Sequence, residues 1–281
     1  MHLSTRSPCV ITVVLPEHRA DGARLACSRS RPAIVDAMAK HPLTSEIIET
    51  EEALRELIGE PTELVCSKIS DRLNALTRKF IERSPFLCLG TADEDGNCDV
   101  SPRGDPASFV RILDDRTLLV PERPGNRIAD SLRNILRNPH VALLFLIPGV
   151  SDTFRVNGRA TLTTDQTLLA TCAVEGKTPK LGILVDVESA YTHCSKAFLR
   201  SQLWDPARFV DRSELPTSGE IHRELAGGDF DAEKYDTERA AATRAAKAST
   251  EIVTRRRSTM RGASTDAPRR DAGHETASSS A

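Results

Sequence analysis

The chain has 281 residues, with 38 Lys and Arg against 40 Asp and Glu, for a net charge of −2. Its 39% hydrophobic and 28% charged residues are ordinary for a globular protein, and no apolar run reaches the roughly 18 residues that a membrane span needs. Seven Cys with no C-x-x-C pair give neither a disulfide framework nor a zinc site and read as the reduced thiols of a cytoplasmic protein.

Charge and composition divide the chain. Residues 1–37 carry a net +2 and residues 239–281 a net +5, which leaves −9 on residues 38–238. That acidic middle argues against a nucleic-acid groove. The apolar stretch Cys9–Leu15 is short and is followed at once by Glu17, His18 and Arg19, so it does not read as a signal peptide. Residues 1–37 read as an unstructured extension, with Met38 as an alternative start. The end of the chain is rich in Ala, Ser, Thr and Arg. It lacks the large apolar side chains that offset chain entropy, and residues 226–281 are expected to be a disordered basic tail. Residues 38–225 remain, one domain's worth.

In chain order, Thr44 or Ser45 is expected to cap a first helix that Gly59 and Pro61 end. A second helix is expected from about Glu63 to Arg83, with Ile69, Leu73, Leu76 and Phe80 on one face. Pro85 then forces extension. Phe86–Thr91 and Cys98–Ser101 read as strands around an Asp93–Asn97 turn, where Gly96 supplies a positive φ. Phe109–Leu113 and Thr117–Pro121 read as the next two strands. Arg127–Arg137 reads as a helix. Val141–Ile147 reads as a strand buried on both faces. Thr153–Leu162 alternates, Asp165 caps a short helix to about Ala173, Lys180–Val187 is a last strand, and Ser195–Leu203 a last helix. Strands joined by hairpins pair antiparallel, and short strands hide their edges by closing. The pattern gives a small antiparallel β-barrel with helices around it.

Three polar clusters stand out. In Asp99–Pro106, Pro102 and Pro106 stiffen a loop that carries Arg103. A guanidinium held that way suits bidentate phosphate binding, and a surface ion pair with Asp105 explains it equally well. In Pro121–Arg127, Asn126 is a good N-cap and Arg127 starts the first turn. A helix N-terminus favours an anion, and an ordinary cap with a solvated Arg is the alternative. In Tyr191–Trp204, Lys196 and Arg200 share a helix face, His193 reads as a structural residue and Trp204 as a packing anchor. No second His or Cys sits at metal spacing near His193, so no metal site is expected. The P-loop, Rossmann and nucleophile-elbow motifs are all absent.

Five pieces in order carry a resemblance: SPRGD, DDRTLLVPERPGN, LRNILRNPHVALLFLIPG, DTFRVNGRATL and HCSKAFLRSQLW. Over roughly residues 40–215 the chain resembles the pyridoxamine 5′-phosphate oxidase-like family of FMN-binding split β-barrels, and more narrowly its bacterial probable FMN-dependent branch. The resemblance implies a mainly β (α+β) antiparallel split barrel with flanking helices. It also implies a homodimer with FMN at the subunit interface. Carried over by position, Arg103 and Arg111 would meet the FMN phosphate and ribityl chain, and Ser101 would be a further cofactor contact. Val110 would offer backbone groups to the flavin ring, and Val120 with Pro121 would lie beside it. Asn126 and Arg127 would grip the phosphate, and Thr153 would reach the flavin from the neighbouring strand. Lys196 and Arg200 would add contacts from the last motif.

The function so implied is an FMN-dependent oxidoreductase acting on an unknown small molecule, with no catalytic acid or base singled out. Its rival is a non-catalytic flavin, deazaflavin or haem binding protein, a carrier or sensor, with His193 as a candidate haem ligand. Neither nucleic acid nor membrane is an expected partner.

Overall fold

The computed structural model describes residues 46–226 and 230–244. By its contacts the chain divides into Met1–Ile47 and Ile48–Ala281, and the architecture below is that of the second unit. The expected extension over 1–37 lies outside the described residues.

Helix α1 is Glu51–Ile58. Its cap is Thr50, whose Oγ1 accepts from the Ala53 N–H, rather than Thr44 or Ser45. Gly59 ends it at φ 76°, as expected. The single helix expected over 63–83 is instead two short ones, α2 (Glu63–Ser67) and α3 (Arg78–Arg83). The segment between them is pulled straight by distant backbone. Ser70 and Ala190 exchange two hydrogen bonds, and the Leu73 N–H donates to the Asp115 carbonyl at 2.7 Å. Local periodicity had no means of showing those bonds. The packing face of α3 is real: Ile81 is fully buried and Phe80 stacks on Phe154 at 5.7 Å.

Seven strands follow: β1 Phe86–Ala92, β2 Cys98–Gly104, β3 Arg111–Ile112, β4 Thr117–Glu122, β5 His140–Ile147, β6 Val150–Thr163 and β7 Leu181–His193. Helix α4 (Asp130–Arg137) lies between β4 and β5, and α5 (Gln166–Ala170) between β6 and β7. The sheet order is β2-β1-β5-β6-β7-β4-β3, and every pairing is antiparallel. This is the α+β, split-barrel-like architecture, a seven-stranded antiparallel sheet with flanking helices. Its inward rows make the core, from Leu87, Leu89, Leu143, Phe145, Phe154, Val156, Val120, Ile183 and Val185. Strand β3 is shorter than the Phe109–Leu113 stretch expected. Ser108 takes a left-handed turn at φ 68°, and only two residues reach β4.

Strand β5 was expected to bury both faces. Within one chain it buries one: Val141, Leu143 and Phe145 are buried, while Ala142 is exposed and Leu144 half-buried. Strand β6 changes register between Asn157 and Gly158. A Cβ at position 158 would lie against the Asp186 carbonyl, so only Gly lets β6 and β7 approach there. Edge strand β2 carries Pro102 opposite Cys88.

After β7 come α6 (Lys196–Ser201), two short 3-10 turns and α7 (Ser218–Ala226). Trp204 is the packing anchor expected: its indole donates to the Val150 carbonyl at 3.0 Å and stacks on Phe198. The disordered tail was expected from residue 226. Instead, 232–244 form a further helix, α8. Tyr235 and Phe230 pack against His222 of α7, and the Gly219 N–H donates to Asp236. Residues 245–281 lie outside the described residues.

Candidate functional site

Strand β2 alternates. Cys98, Val100, Pro102 and Gly104 face outward and are exposed, while Asp99, Ser101 and Arg103 face inward and are half-buried. In sheet order β2 is one edge and β4 lies next to the other, so no backbone ladder joins them. Side chains close the gap. Arg103 donates to Glu122 at the end of β4. The Arg123 Nε donates to Asp105 at 2.5 Å, and its Nη2 to the Cys172 carbonyl at 2.8 Å. The expected Arg103–Asp105 pair is therefore replaced by two crossed pairs.

The chain next bends into α4 through two left-handed residues, Arg127 at φ 65° and Ala129 at φ 59°. The helix begins at Asp130, so Asn126 is not its N-cap and Arg127 is not in its first turn. The Asn126 carboxamide oxygen instead accepts from the Ile128 N–H, two residues on. That turn competes with helix geometry. Helix α4 is anchored by Ser131, which is buried. Its Oγ donates to Asp99 at 2.8 Å and lies 2.8 Å from the Ser101 Oγ.

These elements border a cleft of about 950 Å³, within the usual size of a cofactor site. Its far wall is the segment between α5 and β7. There Glu175 and Gly176, at φ 53° and 74°, turn the chain as a tight I′ hairpin does, and they present Lys177, Thr178 and Lys180 to the cleft. The lining holds five acidic and five basic side chains. Four of them are spent on the crossed pairs. Arg127, Lys177 and Lys180 are exposed and make no ion pair among the described residues. The Arg103 Nε is buried with no hydrogen-bond partner. Burial pushes the Glu122 carboxyl above its ordinary range, and Arg103 pulls part of that shift back.

Of the residues singled out from the sequence, the cleft gathers Ser101, Arg103, Pro121, Asn126 and Arg127. It does not gather the others. Val110 and Val120 are core. The Arg111 guanidinium donates to the Thr171 and Ser108 carbonyls, which ties β3 to the end of α5. Thr153 is buried opposite His193 on β6 and β7, and Lys196 and Arg200 are exposed on α6. Burial, with the Arg155 and Lys68 charges, holds the His193 imidazole below its ordinary pKa.

Sequence reasoning missed Glu122, Ser131, Lys177 and Lys180. The Glu-Gly turn before Lys177 was a usable signal for that loop; nothing local marked Ser131 or the pairing of Glu122. Among the described residues no group of His, Cys, Asp and Glu could hold a metal ion, and no helix is long and apolar enough to cross a membrane.

An antiparallel, split-barrel-like sheet with a cleft lined by five acidic and five basic side chains at its opening is the class that fold and site define. Residues 73–194 match the family model described as pyridoxamine 5′-phosphate oxidase. Similar solved structures include HupZ of Group A Streptococcus, at 18% identity over 43% of this chain and 93% of that one, with a TM-score of 0.36. Another is a pyridoxamine 5′-phosphate oxidase homologue from Lactobacillus delbrueckii, at 21% over 43% and 95%, with a TM-score of 0.35. An FMN-binding protein from Syntrophomonas wolfei is 13% identical over 51% and 96%, with a TM-score of 0.33. No curated protein sequence matches the chain.

Proposed function

We propose that the cleft binds FMN and that the protein is an FMN-dependent oxidoreductase of the family's bacterial probable FMN-dependent branch, acting on a small molecule. One observation carries the reading. Arg103 lines the cleft and its buried Nε has no hydrogen-bond partner among the described residues, while Arg127, Lys177 and Lys180 line the same cleft and make no ion pair among those residues. A buried donor left unmade costs about 1–3 kcal/mol, and a phosphate is the ligand whose oxygens would satisfy it together with three loose cations. The match of residues 73–194 to the pyridoxamine 5′-phosphate oxidase model supports a flavin as the bearer of that phosphate.

When bound, the flavin supplies the hydride or electron chemistry. The chain's residues do the rest. Arg103, Arg127, Lys177 and Lys180 would offset phosphate charge. The Ser131 hydroxyl donates its hydrogen bond to Asp99, so its oxygen accepts from Ser101; Ser101 then turns a lone pair outward and would accept from a ribityl hydroxyl. Pro121 would pack beside the ligand without offering an N–H.

The proposal includes a homodimer. Opposed residues share a face, so Gly90, Val100 and Ala142 form one outward row and Cys88, Pro102 and Leu144 the next. Val100 is 68% exposed. A small, flat apolar face of this kind is suited to a second copy.

The test is an absorbance spectrum of the purified protein, with mass spectrometry of whatever heating releases. A yellow protein that releases FMN, bleaches with a reduced nicotinamide and recovers in air is the expected outcome. Colour without turnover would move the protein to a carrier or sensor role. Colourless protein that takes up no FMN at about micromolar concentration would sink the reading.

A further inference from the structure

We propose that Glu122 is a built-in counterion which the FMN phosphate displaces from Arg103, so that the ligand enters the cleft together with a proton. The inference rests on the flavin reading and adds a positioning residue to it.

The pair spans the mouth of the barrel. Arg103 comes from β2 and Glu122 from β4, strands that share no ladder, and their side chains are only 15% and 20% exposed. The Arg103 Nη1–H donates a hydrogen bond to the Glu122 carboxylate, and its Nε has no partner among the described residues. The guanidinium is thus held at the cleft wall in a half-used state. An arriving phosphate brings up to two negative charges to the same group. Two anions cannot both stay charged on one partly buried cation at little cost; one gives up its charge or its place.

The surroundings decide which. On β2 and just after it, Asp105 is taken by Arg123, and Asp99 by Ser131. Arg127 and Asp130 lie toward α4, and Glu175, Lys177 and Lys180 toward β7. Those free cations face the open cleft, where the phosphate competes for them. Glu122, fixed on a strand end and half-buried, has no second cation among its contacts. Burial already holds its carboxyl above the ordinary range. When Arg103 turns to the phosphate, only the burial remains. A proton from solvent then moves onto the Glu122 carboxylate, and the protonated acid stays where the pair was.

The sign follows from linkage. Ligand binding raises the Glu122 pKa, so this contribution to affinity is full below the free-state pKa. It is lost as pH rises toward the bound-state pKa. The phosphate's own titration near pH 6 acts equally on any variant, so the ratio of two proteins isolates Glu122.

The experiment is a fluorescence titration of FMN into the full-length wild type and Glu122→Gln, from roughly pH 5.5 to pH 8 at fixed ionic strength. The two should converge toward the acid end. Wild type should fall behind by about tenfold at the alkaline end. A ratio constant with pH, while both bind FMN, overturns the exchange and leaves the flavin reading standing. Failure of both to bind FMN at any pH overturns the flavin reading and this inference with it. Infrared difference spectra of the wild type, FMN-bound minus free near pH 7, test the proton without a variant. A gain of protonated carboxyl at the expense of carboxylate is expected, and its absence overturns the proposal.

Discussion

Arg103 and Arg127 line the same cleft but differ in what holds them. Arg103 sits in a half-buried ion pair, whereas Arg127 is exposed on a left-handed backbone turn. Arg127→Ala removes a cation and no packing. It should weaken FMN binding by about tenfold, in line with one charge-assisted bond of about 1.5 kcal/mol or more, at an unchanged melting temperature. Arg103→Ala removes a cation and also leaves Glu122 alone in a desolvated place, which costs about 2–3 kcal/mol of stability at neutral pH. The pH dependence carries a sign. The folded-state pKa of Glu122 lies above its ordinary 4.5, and losing Arg103 raises it further. Stability is then retained at acid pH and lost as pH rises through the folded pKa. Urea melts should show Arg103→Ala closest to wild type near pH 4.5 and weakest near pH 7; a deficit independent of pH would refute the account. Arg111 shows why an arginine on a strand is not evidence of a ligand. Its donors already serve two carbonyls, and no spacing rule could reveal those partners.

The elements read well from periodicity wherever their stabilising contacts are local. Gly96 at φ 80°, the Asp165 cap on α5 and the β1–β2 hairpin all follow from turn and cap chemistry. The misreadings fall where a distant group wins. Ser70 and Leu73 abandon a helix for bonds to β7 and to Asp115, and α4 starts late because Ser131 is drawn to Asp99. Helix α8 belongs to the same class. Its own sequence, nearly free of large apolar residues, promises little, but Tyr235, with Phe230 just before the helix, gives α7 an aromatic partner in His222. Ring pairs contribute about 0.5–1.5 kcal/mol each. A chain ended after Ala226 should therefore lose about 2 kcal/mol locally, opening α7 to protease while the barrel stays folded. Limited proteolysis with peptide mapping would measure this, and an α7 as resistant as in the full chain would contradict it.

The two ends of the sheet are brought face to face by side chains, and the cleft occupies the opening between them. Five of the eleven site residues inferred from sequence lie there; loop rigidity and cap chemistry marked Arg103, Asn126 and Arg127, and the resemblance supplied Ser101 and Pro121. The far wall, Lys177 to Lys180, is distant in sequence from the other segments that line the cleft and was not legible. The outward face of β2, β1 and β5 carries the expectation of a second copy. Ala142→Arg would place a charge in the middle of that face. Sedimentation should then show monomer where wild type shows dimer. A variant that stays dimeric would remove this face from consideration.

Pro102 has a bearing on how the protein behaves at high concentration. It sits midway along an edge strand, and a proline offers no N–H for another chain to dock on. Strand addition at that border is thereby blocked, as edge prolines block it elsewhere. The same ring that stiffens the approach to Arg103 thus guards the protein against growing into a fibril from its most accessible seam.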